Sequence, residues 1–292
     1  MKRSARFHRE NNLQDKVQDK NYFFIVGSPR SGTTLLSVLL DRHPRLCVPP
    51  ETAFFDEVAP RLRWRGNAKL MRVLGEWRRL RELNLEPEMV RQKLGPTRSG
   101  VGEILAAILD LYAQNMGKPR CGEKTPQHLR HVPTILRHYP DARIICTLRD
   151  GRDASLSLNS MPWWGQGLAA AAQLWKRNAR LMDKLARQYP RHIMTLSYED
   201  LIARPEEVLS QVMDYLGEEF EPEQLQTETP SYVVLPRSTE WKGKALEPID
   251  AGGTNRRRSE AQVEELAFLE KILRDDLRRY GYNAGEIERR SR

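Results

Sequence analysis

A run of five residues, Tyr22–Val26 (YFFIV), leads into Gly27-Ser28-Pro29-Arg30-Ser31-Gly32-Thr33-Thr34 and then into the apolar stretch Thr33–Leu40 (TTLLSVLL). A short segment that is apolar at every position is the pattern of a strand buried on both faces, which belongs in a parallel sheet. The stretch after the glycines predicts a helix. A glycine-bounded turn between such a strand and a helix presents free backbone N–H groups together with the positive end of the helix dipole. That combination makes an anion site.

The rest of the chain supplies matching units. Arg120–Glu123, Arg143–Leu148 (RIICTL) and Ile193–Leu196 (IMTL) read as further strands. Helical spacing is expected over Val101–Met116, Pro126–Tyr139, Asp150–Ser160, Leu168–Gln188, Pro205–Leu216 and Ser259–Tyr280. Residues 52–94 read as irregular helices outside the sheet, broken at Gly66, Gly75 and Pro87. Strands alternating with helices predict an α/β fold, a central parallel sheet flanked by helices of the P-loop nucleotide-binding type. In such sheets ligands sit beyond the carboxyl ends of the strands, so residues following Val26, Glu123, Leu148 and Leu196 are the ones to examine.

Composition narrows the ligand class. With 39% hydrophobic residues among 292, the chain has enough apolar content for a core. No apolar run reaches the ~18 residues of a membrane span, so no transmembrane segment is expected. Residues 1–20 are basic without an apolar stretch and read as a flexible leader, with residues 21–292 forming one domain. Three scattered cysteines, Cys47, Cys121 and Cys146, argue against a disulfide framework or structural zinc and suit a reducing, cytoplasmic setting. The net charge of +9 suggests a polyanionic partner. No basic-aromatic array or helix-turn-helix signature points to a specific nucleic acid; anionic lipid and multiply phosphorylated small ligands both suit the charge, and the motifs must choose between them.

The Gly27–Thr34 spacing is that of a Walker A loop, yet Thr33 stands where such a loop carries Lys, and Arg30 supplies a cation from within the loop. This segment resembles the 5′-phosphosulfate loop of sulfotransferases that use 3′-phosphoadenosine 5′-phosphosulfate (PAPS). Its PRSGTT form is closest to the tyrosylprotein, carbohydrate and bacterial branches. A second motif, Leu148-Arg149-Asp150-Gly151-Arg152-Asp153-Ala154-Ser155-Leu156-Ser157, follows the RIICTL strand and opens a helix. The resemblance implies that Arg30, Ser31, Gly32, Thr33 and Thr34 bind the 5′ side of the cofactor and that Arg149 and Ser157 hold its 3′-phosphate. It also implies that Tyr198, in a segment similar to the family's YEDL, lies near adenine. A basic, Gly-containing stretch, Trp241–Lys244 or Gly252–Arg258, would close over the 3′-phosphate. The same resemblance implies PAPS as donor, 3′-phosphoadenosine 5′-phosphate as product, and no metal.

Transfer to a hydroxyl needs a base, and His43, Glu51, Glu123 and His128 are candidates by residue type. The resemblance selects Glu51, in Pro50-Glu51-Thr52, as the catalytic base. It places Lys124, in Gly122-Glu123-Lys124-Thr125-Pro126, beside the transferring sulfonate, with Arg30 at the bridging oxygen. Phe54-Phe55 and Met161–Gly165 either line an acceptor cleft or belong to the core. The acceptor class stays open among small molecules, carbohydrate, lipid and peptide. A P-loop kinase or nucleoside triphosphatase is the alternative, but it lacks its lysine at position 33 and leaves Arg149 and Ser157 idle.

Overall fold

The computed structural model describes residues 22–62, 67–96, 99–234, 242–249 and 256–282. The leader expected over residues 1–20, Gly66, Trp241 and Gly252–Asn255 lie outside the described residues. Five strands form the sheet: β1 (Phe23–Gly27), β2 (Leu46–Cys47), β3 (Arg120–Lys124), β4 (Arg143–Leu148) and β5 (Ile193–Ser197). Their order is β2-β3-β1-β4-β5, and every neighbouring pair is parallel.

The topology explains where a ligand would sit. β1 and β4 are neighbours, in register from Phe23–Arg143 to Gly27–Thr147. The chain leaves β1 toward β2 on one side and leaves β4 toward β5 on the other. Adjacent strands whose connections diverge open a crevice at their carboxyl ends. Alternation of side chains along β1 divides the core into two layers. Phe23 and Ile25 pack with Leu36, Leu39 and Leu40 of the first helix, Thr33–Asp41. Phe24 and Val26 belong with Ala154 and Leu156 of the helix Gly151–Asn159, and with Trp175 and Ala179 of the helix Gly167–Gln188. The two helices that begin at the crevice therefore lie on opposite faces of the sheet.

Most expected elements are present with ends shifted by a residue or so, and three differ for physical reasons. The Pro126–Tyr139 segment divides into a 3-10 turn, Pro126–His131, and an α-helix, Val132–His138. Pro133 has no N–H to continue a helix from behind, so it sits in the first turn of a new one. The C-terminal helix is likewise two, Arg256–Glu260 and Val263–Arg279, the second opened by Gln262 with Glu265 reaching back to its backbone. Gly75 lies inside the helix Asn67–Glu76 instead of ending it. β2 has no counterpart among the expected strands, because two residues are too few to show a period.

Candidate active site

The loop after β1 begins where the core ends. Arg30 takes the left-handed conformation at φ 69°, and Gly32 follows at φ 88° as the N-cap of the first helix. A side chain at Gly32 would carry a second penalty, since an added Cβ would lie 2.4 Å from the Tyr198 ring. No side chain caps this helix. The Ser31 hydroxyl is buried beside it without a hydrogen-bond partner. Buried polar atoms are nearly always paired, so this one points to a ligand.

The second motif meets the first. Arg30 Nε donates to Ser157 Oγ at 3.0 Å across 127 residues of chain. The Arg149 guanidinium lies over the Tyr198 ring, 4.5 Å from its centroid, and its buried Nε has no hydrogen-bond partner. Trp175 Nε1 donates to the Arg149 carbonyl at 2.9 Å and fixes the end of β4. Asp150 is structural. It caps the helix Gly151–Asn159 by accepting the Arg152 N–H at 2.9 Å, and it pairs with the Arg152 guanidinium. Burial and the neighbouring Arg149 and Arg257 pull the Arg30 guanidinium down to about 10. That crowding of cations is relieved by a bound anion.

The basic C-terminal stretches divide between two tasks. Arg258 pairs with the buried Asp153 and with Asp150, which docks the helix Arg256–Glu260 on the second motif. Lys242, by contrast, does not join the arginines: its Nζ is 2.8 Å from Glu51 Oε1. Lys124 Nζ reaches the same oxygen at 2.8 Å and approaches Thr34 Oγ1 at 3.5 Å. Glu51 thus stands between two ammonium groups, next to the start of the first helix. Burial alone would raise its carboxyl, but Lys124 and Lys242 outweigh burial and hold it well below the usual carboxylate range. Burial also pulls Lys124 down to about 8, against the upward pull of Glu51.

The other base candidates are placed elsewhere. His43 receives the Arg45 N–H on Nδ1 and donates from Nε2 to the Glu219 carbonyl, beyond the amino end of the sheet. Glu123 and His128 are fully buried and bonded to one another at 2.9 Å, with no open face for an acceptor. Phe54 and Phe55 belong to the core, Phe54 edge-on to Trp77 and Phe55 stacked on His131. Trp163 is 52% exposed, whereas Met161 is buried. A separate cavity of about 1090 Å³ runs along the β2 edge past Pro44, Tyr112 and Tyr232, and touches this region only at Pro50. Among the described residues no cluster of three or more His, Cys, Asp or Glu could hold a metal ion, and no helix is long and apolar enough to cross a membrane.

A parallel α/β sheet with an uncapped helix and crowded arginines beside a carboxylate–ammonium pair at one crevice has the charge and the free backbone N–H groups to hold an anionic ligand. The chain belongs to the sulfotransferase family, whose model matches residues 23–222. It is 28% identical to the protein-tyrosine sulfotransferase of Drosophila melanogaster over 202 residues, covering 66% of this chain and 37% of the relative. It is 25% identical to protein-tyrosine sulfotransferase A of Caenorhabditis elegans, covering 67% of this chain and 49% of the relative. The chain thus spans about a third to a half of these curated relatives. Among solved structures it resembles the sulfotransferase domain of the Synechococcus PCC 7002 olefin synthase, with TM-score 0.58, 25% identity, and coverage of 87% of this chain and 95% of the other. The sulfotransferase domain from the curacin biosynthetic pathway has the same fold, with TM-score 0.64, 21% identity, and coverage of 91% and 99%.

Proposed function

We propose that this chain moves the sulfuryl group of PAPS to an acceptor hydroxyl by in-line displacement, the acceptor being a peptide or a small molecule. The observation that carries this reading is the Arg30–Ser157 hydrogen bond, because it closes two distant anion-binding motifs into one cradle. The residues fit a donor with two phosphate groups. Ser31 Oγ and Arg149 Nε are buried and unpartnered, the first helix is uncapped, and Tyr198 holds its ring against Arg149. When bound, the donor supplies the sulfuryl group and a bisphosphate leaving group.

The chain's own residues then have defined tasks. The N–H groups at the start of the helix Thr33–Asp41 and the Arg30 guanidinium hold negative charge that grows at the leaving oxygens. Arg149 and Ser157 hold the second phosphate. The Glu51 carboxylate receives the acceptor's proton, and Lys124, bonded to it and near Thr34, supplies a cation beside the transferring group. In-line transfer depends mainly on positioning and charge stabilisation, which this cradle provides. The names of the metazoan relatives favour a tyrosine hydroxyl as the first acceptor to try.

Two measurements test the reading. Adenosine 3′,5′-bisphosphate is expected to raise the melting temperature, and ATP with magnesium to leave it nearly unchanged. The reverse pattern would favour the kinase alternative. Transfer of 35S from labelled PAPS to tyrosine-containing peptides and to small hydroxyl compounds is expected to give a sulfated product. Donor binding without any product would overturn the assignment.

A further inference from the structure

Three consecutive backbone amides, those of residues 53–55 shortly after Glu51, are each held by a different side chain. Phe54 N–H donates to Thr52 Oγ1 at 3.2 Å, Ala53 N–H to Thr125 Oγ1 at 3.0 Å, and Phe55 N–H to His128 Nε2 at 3.3 Å. All three acceptors converge on one carboxylate. Thr52 and Thr125 donate to Glu123 Oε1 at 2.7 and 2.6 Å, and His128 Nδ1 donates to Glu123 Oε2 at 2.9 Å. Thr52, Thr125, His128 and Glu123 are all buried. The segment they hold is irregular: Ala53 sits in the left-handed region at φ 48°, uncommon for a residue with a side chain.

The proton directions follow from this geometry. His128 Nε2 accepts a backbone N–H, so its proton is on Nδ1 and the ring is neutral. An ionised Glu123 offers only acceptors, which forces both threonine hydroxyls to point at it. Their lone pairs are thereby left for the Ala53 and Phe54 amides. Arg79 adds a donor to the Glu51 carbonyl itself at 2.7 Å. The chain just after the Glu51 Cα is held at its own carbonyl and at three following amides, while Lys124, the residue next to Glu123 on β3, meets its carboxylate.

We infer that Glu123 and His128 are positioning residues, whose task is to set the Glu51 carboxylate against Lys124 for proton transfer. This inference rests on the reading of Glu51 as base. A shift of a reacting group by an ångström or so costs catalysis far more than binding. In Glu123→Gln one acceptor becomes an N–H2 donor, so one of the three donors must turn away and one amide of residues 53–55 loses its partner.

Single-turnover sulfuryl transfer from PAPS is the first measurement. Glu123→Gln is expected to slow the step on the order of ten- to a hundredfold, with adenosine 3′,5′-bisphosphate affinity within about threefold of wild type. His128→Asn, which keeps a donor toward Glu123 and loses the acceptor for Phe55, should fall in the same range. A general structural role gives the same loss in every background, whereas positioning acts through Glu51. On a Glu51→Gln background the second substitution is therefore expected to cost less than about threefold. Equal losses in both backgrounds, or wild-type rates in Glu123→Gln, would overturn the inference. If Glu123→Gln does not fold, Thr125→Val is read by the same cycle. NMR titration of the Lys124 ε-carbon gives a readout without activity. Because Glu123 also raises the Lys124 value directly, the readout uses Thr125→Val, which leaves the Glu123 charge in place: it should shift the Lys124 titration downward, as Glu51→Gln is expected to, and an unmoved titration also overturns the inference. A moved titration in a protein that transfers no sulfuryl group would leave the positioning role standing and remove the catalytic reading.

Discussion

Glu51 and Lys124 share one short contact, and each is tuned by the other. The carboxylate is kept ionised by two ammonium groups, which makes it a ready but weak acceptor of protons. In the proposed role as base it would gain strength when the acceptor hydroxyl displaces one ammonium. Glu51→Gln keeps size and polarity but cannot take the proton, so single-turnover transfer is expected to fall ~10²–10⁴-fold with bisphosphate affinity retained. Lys124 sets the other limit. Its ammonium, drawn down to about 8 by burial, loses its proton as pH rises through that value. The transfer rate should fall with the same midpoint. The sign for stability is opposite. Between about 8 and the ordinary lysine value of 10.5 the unfolded chain holds more protons than the folded one, so this group's contribution to stability rises with pH while activity drops. A pH profile of transfer without an alkaline fall near 8 would remove Lys124 from the reaction. Arg149→Ala is expected to weaken adenosine 3′,5′-bisphosphate by ~1.5–3 kcal/mol, about ten- to a hundredfold, and adenosine 5′-phosphate much less. Equal losses for both ligands would dissociate Arg149 from the 3′-phosphate. The placing of Arg30, Arg149 and Ser157 beyond the ends of β1 and β4 was legible in the sequence because each lies in a contiguous strand–turn–helix motif. Lys242 on Glu51 was not, because 191 residues separate the partners and nothing local marks the pairing.

Elements were legible where burial imposes a pattern and obscure where it does not. β1 and β4 are central strands, apolar nearly throughout, and their ends were readable to within about a residue. β2, on the edge and two residues long, shows no pattern, and its place is set by pairing with Arg120 and Cys121 of β3. The helix boundaries near Pro133 and Gln262 depend on capping chemistry that interrupts an otherwise continuous apolar spacing. The loop between β1 and the first helix was the most legible element, since its left-handed turn at Gly32 leaves glycine as a mark in the sequence. Gly32 illustrates the constraint. Its left-handed backbone and its contact with the Tyr198 ring act together against any side chain. Gly32→Ala is expected to lose ~1–3 kcal/mol of stability from backbone strain, with ring displacement adding to it. Because the same ring supports Arg149, bisphosphate affinity should fall too. Urea unfolding with ligand titration checks both, and a Gly32→Ala variant with normal stability and affinity would show that the loop has another conformation.

At the scale of the whole molecule, the cradle is completed by the far end of the chain. The helix Val263–Arg279 buries Leu266, Leu269, Leu273 and Leu277 in the same core layer as Trp175. Arg152 reaches across to Glu270, and Lys176 and Arg180 to Asp276. The helix Arg256–Glu260 is held through Arg258, whose guanidinium meets the carboxylates of Asp153 and Asp150. Asp153 is fully buried, and burial raises its carboxyl despite Arg149 and Arg258. Removal of the Arg258 side chain leaves that carboxylate with Arg149, 3.8 Å away, and the backbone N–H of residue 258 at 3.2 Å. Arg258→Ala is therefore expected to lose stability near the lower end of the ~3–5 kcal/mol typical for breaking a buried pair. The loss depends on pH in a definite direction. A carboxyl whose folded value lies above its unfolded one binds more protons in the folded state, so stability contributed by this group falls as pH rises. Without Arg258 the folded value rises further, and the penalty for an ionised Asp153 grows. The loss should be largest near pH 7.5 and smaller at an acid pH below the raised Asp153 value, where the carboxyl takes up a proton and the cost of its buried charge disappears. Urea unfolding of both proteins at the two pH values measures the difference. Bisphosphate affinity at pH 7.5 should fall as well, since Arg257, whose positive charge acts on Arg30, is carried by the helix that Arg258 anchors. A stability loss that stays constant across this range would mean that Asp153 is not the group left exposed to the deficit, and that Arg258 holds the C-terminal helix by packing alone.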